Sequence, residues 1–141
     1  ASTYGQLGYD SSQTQGNQAG SMAALQAVNL GTGRTATAIS AGYEHTCAIL
    51  DDATVKCWGR NHYGQLGLDT TTDVGLNSGD MASLPTVYLG SGRTAYAIAA
   101  GQYHTCAALD DFTMKCWGWG INGINGIGPA DYTSNGGGSG I

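Results

Sequence analysis

Cys47 recurs as Cys106, and the same shift of 59 residues carries Leu30 onto Leu89, Gly42 onto Gly101 and Trp58 onto Trp117. Between residues 30–59 and 89–118, 22 of 30 positions are identical. The shift also holds toward the front, where YGQLGYD at 4–10 matches YGQLGLD at 63–69. It holds toward the back, where NGING at 122–126 is a degraded YGQLG. No insertion breaks the register, so this is a tandem repeat. Such a unit is one supersecondary block that buries its apolar surface against the neighbouring block. We divide the chain into a partial repeat over 1–29, a complete repeat over 30–88, a second partial repeat over 89–134 and a Gly-rich tail over 135–141. That is about two and a third units, starting and ending in mid-unit. The first residue is Ala1 and no signal peptide precedes it, which we read as processing or as a piece of a longer polypeptide.

Within one unit, residues 35–40 (TATAIS), 45–50 (HTCAIL) and 54–58 (TVKCW) are β-prone runs. Asp51-Asp52-Ala53 supplies turn chemistry between the last two, which makes them a hairpin. A turn-rich stretch punctuated by Gly59, Gly64 and Gly67 follows, then a polar loop to about Ser83, then Pro85. We assign no helix to 22–28 (MAALQAV), because its copy MASLPTV carries that proline. Composition agrees with an all-β reading: of 141 residues 24 are Gly, and only 11% are charged. The net charge of −5 argues against a nucleic-acid module, which needs a basic surface, and against docking to an anionic membrane. No apolar run is long enough for a membrane-spanning helix, so we expect no membrane insertion.

The stretch AISAGYEHTCAILDDATVKCWGRNHYGQLG and its copy AIAAGQYHTCAALDDFTMKCWGWGINGING fit the pattern AxxAGxxHTCAxLDDxTxKCWGxNxYGQLG. This pattern closely resembles the repeat of the regulator of chromosome condensation family, in a secreted, cysteine-containing variety. The resemblance implies that each repeat is a four-stranded blade of a β-propeller, usually of seven blades. The chain departs from the family in its long unit, in its number of units and in its third YGQLG. We therefore expect an all-β fold of tandem propeller-like blades, as an incomplete propeller or an open repeat array. Gly42, Gly59, Gly101 and Gly118 fall at strand ends, where a missing Cβ permits close packing or positive φ. Trp58 and Trp117 are the largest apolar anchors and are expected between neighbouring sheets. Leu50, Leu66, Ile39 and their copies are expected to fill the core.

Four cysteines form two identical pairs and allow three connectivities in principle. The hairpin makes one natural: Cys47 faces Cys57, and Cys106 faces Cys116, across adjacent strands. A cross-strand Cβ separation of roughly 4.5–5.5 Å is near the disulfide range without being ideal for it. The alternatives are four buried free thiols, or a zinc site using His45 and Cys47, for which one repeat offers only three ligands. Disulfides imply an oxidising compartment, hence an extracellular or cell-surface protein.

The candidate chemistry is repeated too, which favours structural roles. His45 and His104 occupy equivalent positions, and we expect each ring to bond backbone. His62 is unrepeated and reads as a loop residue. Asp51-Asp52 and Asp110-Asp111 resemble paired carboxylates, yet adjacent residues at a turn diverge, so turn formation is expected rather than acid/base work. The loop from Asp69 to Asp80 is rich in oxygen ligands. Its acidic set is not copied, with Asp73 answering to Thr14 and Asp80 to Ser21, and it lacks EF-hand spacing, so we read it as solvated rather than as a calcium site. Arg34 and Arg93 are expected to bond carbonyls or to pair with acids between units. No GxSxG motif and no N-glycosylation sequon exist.

These readings lead to a non-enzymatic extracellular repeat module with no cofactor and no metal, a structural or assembly segment of a fibre or cell-surface appendage. The alternative is a protein-binding propeller fragment that recognises a partner through its loop face. The expected partners are further copies of the chain or flanking blades of a longer one, and another protein in the second case. Repeat arrays need about three units and caps, so two and a third units call for such cover.

Overall fold

A computed structural model describes residues 1–120. The degraded copy at 122–126, the close of the second partial repeat and the tail over 135–141 lie outside the described residues. Each unit forms one antiparallel sheet. The first consists of β1 (Ala36–Ala41), β2 (His45–Leu50) and β3 (Val55–Gly59), and the second of β4 (Ala95–Ala100), β5 (His104–Leu109) and β6 (Met114–Gly118), each in sequential order. At the tip of the β2–β3 hairpin, Leu50 O accepts the Ala53 N–H at 2.9 Å and Ala53 adopts φ 65°. This is a three-residue loop closed by a left-handed residue, where glycine is usual. Asp52 holds it by accepting from Thr54 N–H and Thr54 Oγ1, and Asp111 and Thr113 repeat the device. The aspartates thus act in turns.

The fourth strand of the expected blade shrinks to one bridge, Gly59 with Val74. The reason lies just beyond. Asp80 Oδ2 accepts the N–H groups of Gly75, Leu76 and Asn77 at 2.9–3.1 Å and curls the chain away from the sheet. A short helix, α1 (Asp80–Ser83), follows where none was expected. Pro85 does not forbid it, because α1 stops before Leu84, whose extended conformation is the one a following proline demands.

Opposite residues in the register, Cys47↔Cys57 and Ile49↔Val55, share one side of the first sheet. Ala48, Leu50 and Trp58 share the other. Both sides of this first sheet are buried, so blade one is a slab between two covers. The first side of blade one packs onto Leu66, Val87, Leu89, Ala95, Ala107, Leu109 and Trp117 of blade two. The second side is covered by Met81 and Leu84 of the α1 region, with Val28 and Leu30. The chain is therefore two blades of an open, incomplete propeller. Ile39 is not in the core: it is 68% exposed. It lies on the outward side of β1, where its copy Ile98 instead packs on the joint between the blades.

Cys47–Cys57 and Cys106–Cys116 are disulfide-bonded, with Cα separations of 4.1 and 4.0 Å, and no free cysteine is found among the described residues. Arg34 and Arg93 do pair with acids, but within a unit: Arg34 Nη1 lies 2.8 Å from Asp52, and Arg93 Nη1 2.9 Å from Asp111. The hairpin tip of the same blade lies closer than any neighbouring unit. These exposed pairs contribute little stability.

Trp117 is buried and donates its indole N–H to Gln65 O at 3.0 Å. Trp117→Ala is expected to cost about 3–5 kcal/mol in denaturant unfolding. Phe112→Ala, at an exposed hairpin tip, is expected to stay within about 0.5 kcal/mol of wild type.

Candidate protein-binding face

The repeat positions that are fixed in both copies build the joint between blades. Gln65 O accepts both the Trp117 indole N–H and, at 2.8 Å, the Thr105 hydroxyl. Having given its only proton to Gln65, Thr105 Oγ1 accepts from His45, whose Nε2 lies 2.9 Å away. That makes His45 the Nε2–H tautomer. The expected backbone partner for this ring is replaced by a hydroxyl of the next blade, because Thr105 stands between the ring and the Gln65 carbonyl. In the first unit Gln6 O likewise accepts from Trp58 and Thr46. Gln6 and Gln65 in turn fold their side chains back to accept the N–H of Tyr4 and Tyr63, both at 2.9 Å. This explains YGQLG: the Gln side chain fixes the tyrosine while its carbonyl holds the neighbouring blade.

Two glycine positions are forced by this packing. A Cβ on Gly42 would collide with Gly101 O and the His45 ring, and one on Gly101 with the His104 ring. Gly59 and Gly118 adopt φ 111° and 101°, and a Cβ on either would sit 2.6 Å from the carbonyl of Glu44 or Tyr103.

Burial of the His45 ring, with the nearby His104 adding a smaller like-charge effect, lowers its pKa to about 4. Its Nδ1 has no hydrogen-bond partner, so a second ring proton would be buried unpaired. Desolvation shifts His104 in the same direction. None of this geometry resembles a nucleophile or a general base: the His45 ring serves the joint, and the His104 ring packs over Gly101.

The acidic loop residues are occupied as well. Asp73 Oδ1 accepts Asn61 N–H at 2.7 Å, and Asp10 accepts the N–H groups of Gly79 and Met81. With Asp80 capping three more amides, the Asp69–Asp80 loop is held by its own backbone. No cluster of three or more metal-ligating side chains occurs among the described residues.

A different set of residues converges on the loop face. The β1–β2 loop brings Tyr43 and Glu44, the β4–β5 loop brings Tyr103, and the segments after β3 and β6 bring Arg60, His62, Tyr63 and Trp119. Tyr103 is the centre, with ring centroids 5.9 Å from Tyr43, 5.2 Å from Tyr63 and 5.7 Å from Trp119. Tyr63 and Trp119 are themselves 5.6 Å apart. The Arg60 guanidinium lies 4.8 Å above the Tyr4 ring and 5.6 Å from Tyr103. It pairs with Glu44 and donates through Nε to His62 Nδ1 at 3.0 Å. The bond to Glu44 raises the Arg60 pKa above its usual value. Buried Asn61 anchors this stretch by donating to Thr70 O and Thr72 O while accepting Leu66 N–H. The result is a contiguous face of amphipathic rings around one oriented arginine.

Apart from Tyr63, the fixed tyrosine of YGQLG, none of these aromatic residues was singled out from the sequence. The signal was present: Tyr43, Glu44, Arg60 and His62 all fall on variable positions of AGxxHTC and CWGxNxYGQLG, as do Tyr103 and Trp119 in the second copy. Fixed positions build the blades, and the loops leave the variable ones on one face.

Sequence profiles described as the Regulator of chromosome condensation (RCC1) repeat match residues 36–65 and 96–124, and 53–108. The Ultraviolet-B receptor UVR8 of Arabidopsis thaliana is 35% identical over 107 residues, covering 70% of this chain and 22% of its own. Protein RCC1 of Candida albicans is 38% identical over 82 residues, 57% of this chain and 17% of its own. The chain therefore spans about a fifth of the length of these relatives. Among solved structures, human WBSCR16 superposes with a TM-score of 0.56 at 24% identity, over 67% of this chain and 23% of that one. That is a likeness of fold.

Stability is expected to respond to acid through His45. With the native pKa at about 4 and the unfolded one near 6.5, the unfolded state binds the extra proton in the window between them. Stability is then fully present above about pH 6.5 and falls by about 3 kcal/mol on descending to pH 4. Urea unfolding across this range should show the slope, and His45→Gln should flatten it.

Proposed function

The chain belongs to the regulator of chromosome condensation repeat family, and on that premise we propose that it is a non-catalytic module that binds another protein through the loop face. The observation that carries this reading is the joined cluster of Tyr43, Tyr63, Tyr103, Trp119 and Arg60. Tyr, Trp and Arg dominate binding hot spots, because they offer large contact area with few rotors and a polar tip. Here Gln65 fixes the backbone of Tyr63, and main-chain bonds from Trp119 N–H to Tyr103 O and from Arg60 N–H to Glu44 O tie the loops together, which lowers the ordering cost at the moment of binding. Glu44 neutralises Arg60 and fixes its direction, which favours a partner that presents apolar or aromatic groups with a few acceptors over a highly charged one.

The face is testable without a known partner. Peptides selected by display against the intact chain are expected to converge on it and to lose at least tenfold affinity on Tyr103→Ala, measured by calorimetry. Affinity unchanged by Tyr103→Ala and by Arg60→Ala would reject the reading. Tyr88→Ala, an exposed tyrosine away from the cluster, serves as the control.

An extracellular or cell-surface location remains part of this proposal, and the two disulfides support it, since such bonds persist in oxidising compartments. Native protein taken without reductant is expected to resist thiol alkylation completely. Labelling of all four cysteines would remove the support for that location.

A further inference from the structure

Arg60 has three holds on the loop face: the Glu44 carboxylate, the Tyr4 and Tyr103 rings, and His62. The third runs through one nitrogen with two rival neighbours. His62 Nδ1 accepts the Arg60 Nε–H at 3.0 Å, and Asp73 Oδ1 lies 3.8 Å from the same atom. An imidazole nitrogen carries either a lone pair or a proton. With the lone pair it serves Arg60, whose guanidinium only donates. With a proton it serves Asp73, whose carboxylate only accepts. The two neighbours therefore select opposite protonation states of one ring.

The surroundings fit such an exchange. The His62 side chain is 55% exposed, so water supplies the proton and the ring has room to turn. Asp73 is the fixed member: its side chain is mostly buried, and its Oδ1 accepts the N–H of buried Asn61 at 2.7 Å. Tyr4 meets the imidazole edge-on, with centroids 6.3 Å apart, and Glu44 holds a different nitrogen of Arg60, Nη1. These are the other titratable groups of the network. All four of its polar members lie outside the repeat: Glu44 answers to Tyr103, Arg60 to Trp119, His62 to Thr3 and Asp73 to Thr14. The second blade forms its sheet without Glu44 or Arg60, so building a blade does not require this network.

We propose that His62 is the positioning residue of Arg60 and makes the loop face sensitive to pH: the neutral ring keeps the guanidinium aligned over Tyr4 and Tyr103, and the protonated ring turns to Asp73 and lets it go. On protonation, Nδ1 takes one proton from solvent. The Nε–H···Nδ1 bond breaks, an Nδ1–H···Oδ1 ion pair forms, and the Arg60 Nε–H passes to water. The inference rests on the reading of the loop face as a binding surface. A ligand that uses Arg60 then binds more tightly above the range where imidazoles titrate than below it. By linkage, that ligand in turn opposes the protonation of His62.

The first arm needs no ligand. The intact chain, labelled with nitrogen-15, is titrated by NMR from about pH 8 to about pH 5, the range over which imidazoles change charge. The three histidines give separate signals, and burial moves those of His45 and His104 to lower pH. At the alkaline end His62 is expected to carry its proton on Nε2, and the Arg60 Nε–H signal is expected to move with the His62 midpoint. A proton on Nδ1 at that end, or an Arg60 signal indifferent to His62, overturns the proposal. The second arm measures a display-selected peptide without ionisable side chains by calorimetry. Wild type is expected to bind it about threefold to tenfold more weakly at the acid end, the worth of one hydrogen bond. His62→Asn keeps an acceptor that does not titrate, so it is expected to bind tightly throughout, whereas His62→Ala is expected to bind weakly throughout. The His62 side chain is half exposed, so both variants should fold, which circular dichroism checks. A pH dependence that survives His62→Asn overturns the proposal. If the first arm succeeds and no peptide binds at the face, the loop-face reading has failed and takes the regulation with it.

Discussion

Everything in this molecule hangs on a main-chain carbonyl. Gln65 O takes the indole of Trp117 and the hydroxyl of Thr105, and through that hydroxyl the imidazole of His45 in the preceding blade. Two side chains of the second blade thus donate to one acceptor contributed by the linker, and one of them, Thr105, in turn accepts from His45 of the first blade. The apolar clusters supply most of the driving force, since burial of Trp, Leu and Val is worth roughly 1.5–3 kcal/mol per side chain. They do not, however, fix how one slab sits on the next. The carbonyl does, because a hydrogen bond in a dry joint tolerates little displacement.

This division of labour explains what could be read in the sequence. Strands and hairpins were legible because β-prone runs, turn aspartates and glycines act locally, and the repeat confirmed each one twice. The cysteine pairing followed from the hairpin register. Ile39 was misplaced because an alternating strand shows which residues share a side without showing which side is covered. The direction of Arg34 and the partner of His45 were illegible for a related reason: each depends on a side chain whose position the packing sets. Helix α1 escaped because a lone proline was given more weight than the bonds that Asp10 offers to the amides of Gly79 and Met81 at the helix start, 69 and 71 positions away in the chain.

The loop face was hidden by the habit of reading a repeat through its identities. Positions that agree between copies report on packing. Positions that differ are free of that duty, and the fold gathers them where the loops emerge. Tyr103 stands where the first unit has Glu44, and Trp119 where it has Arg60. Two copies of one scaffold therefore display different chemistry side by side, which makes an asymmetric surface from a repeated backbone.

The disulfides have a mechanical meaning. Each ties residues ten positions apart across its hairpin. Under tension applied along the polypeptide, such a crosslink withholds roughly 33–36 Å of contour that an unlocked hairpin would pay out, at about 3.3–3.6 Å per residue. The long loops and the contact between blades must then yield before either hairpin does. A chain stretched from its ends would lengthen in a few discrete places and keep each β-hairpin whole, ready to re-engage its neighbour when the load is released.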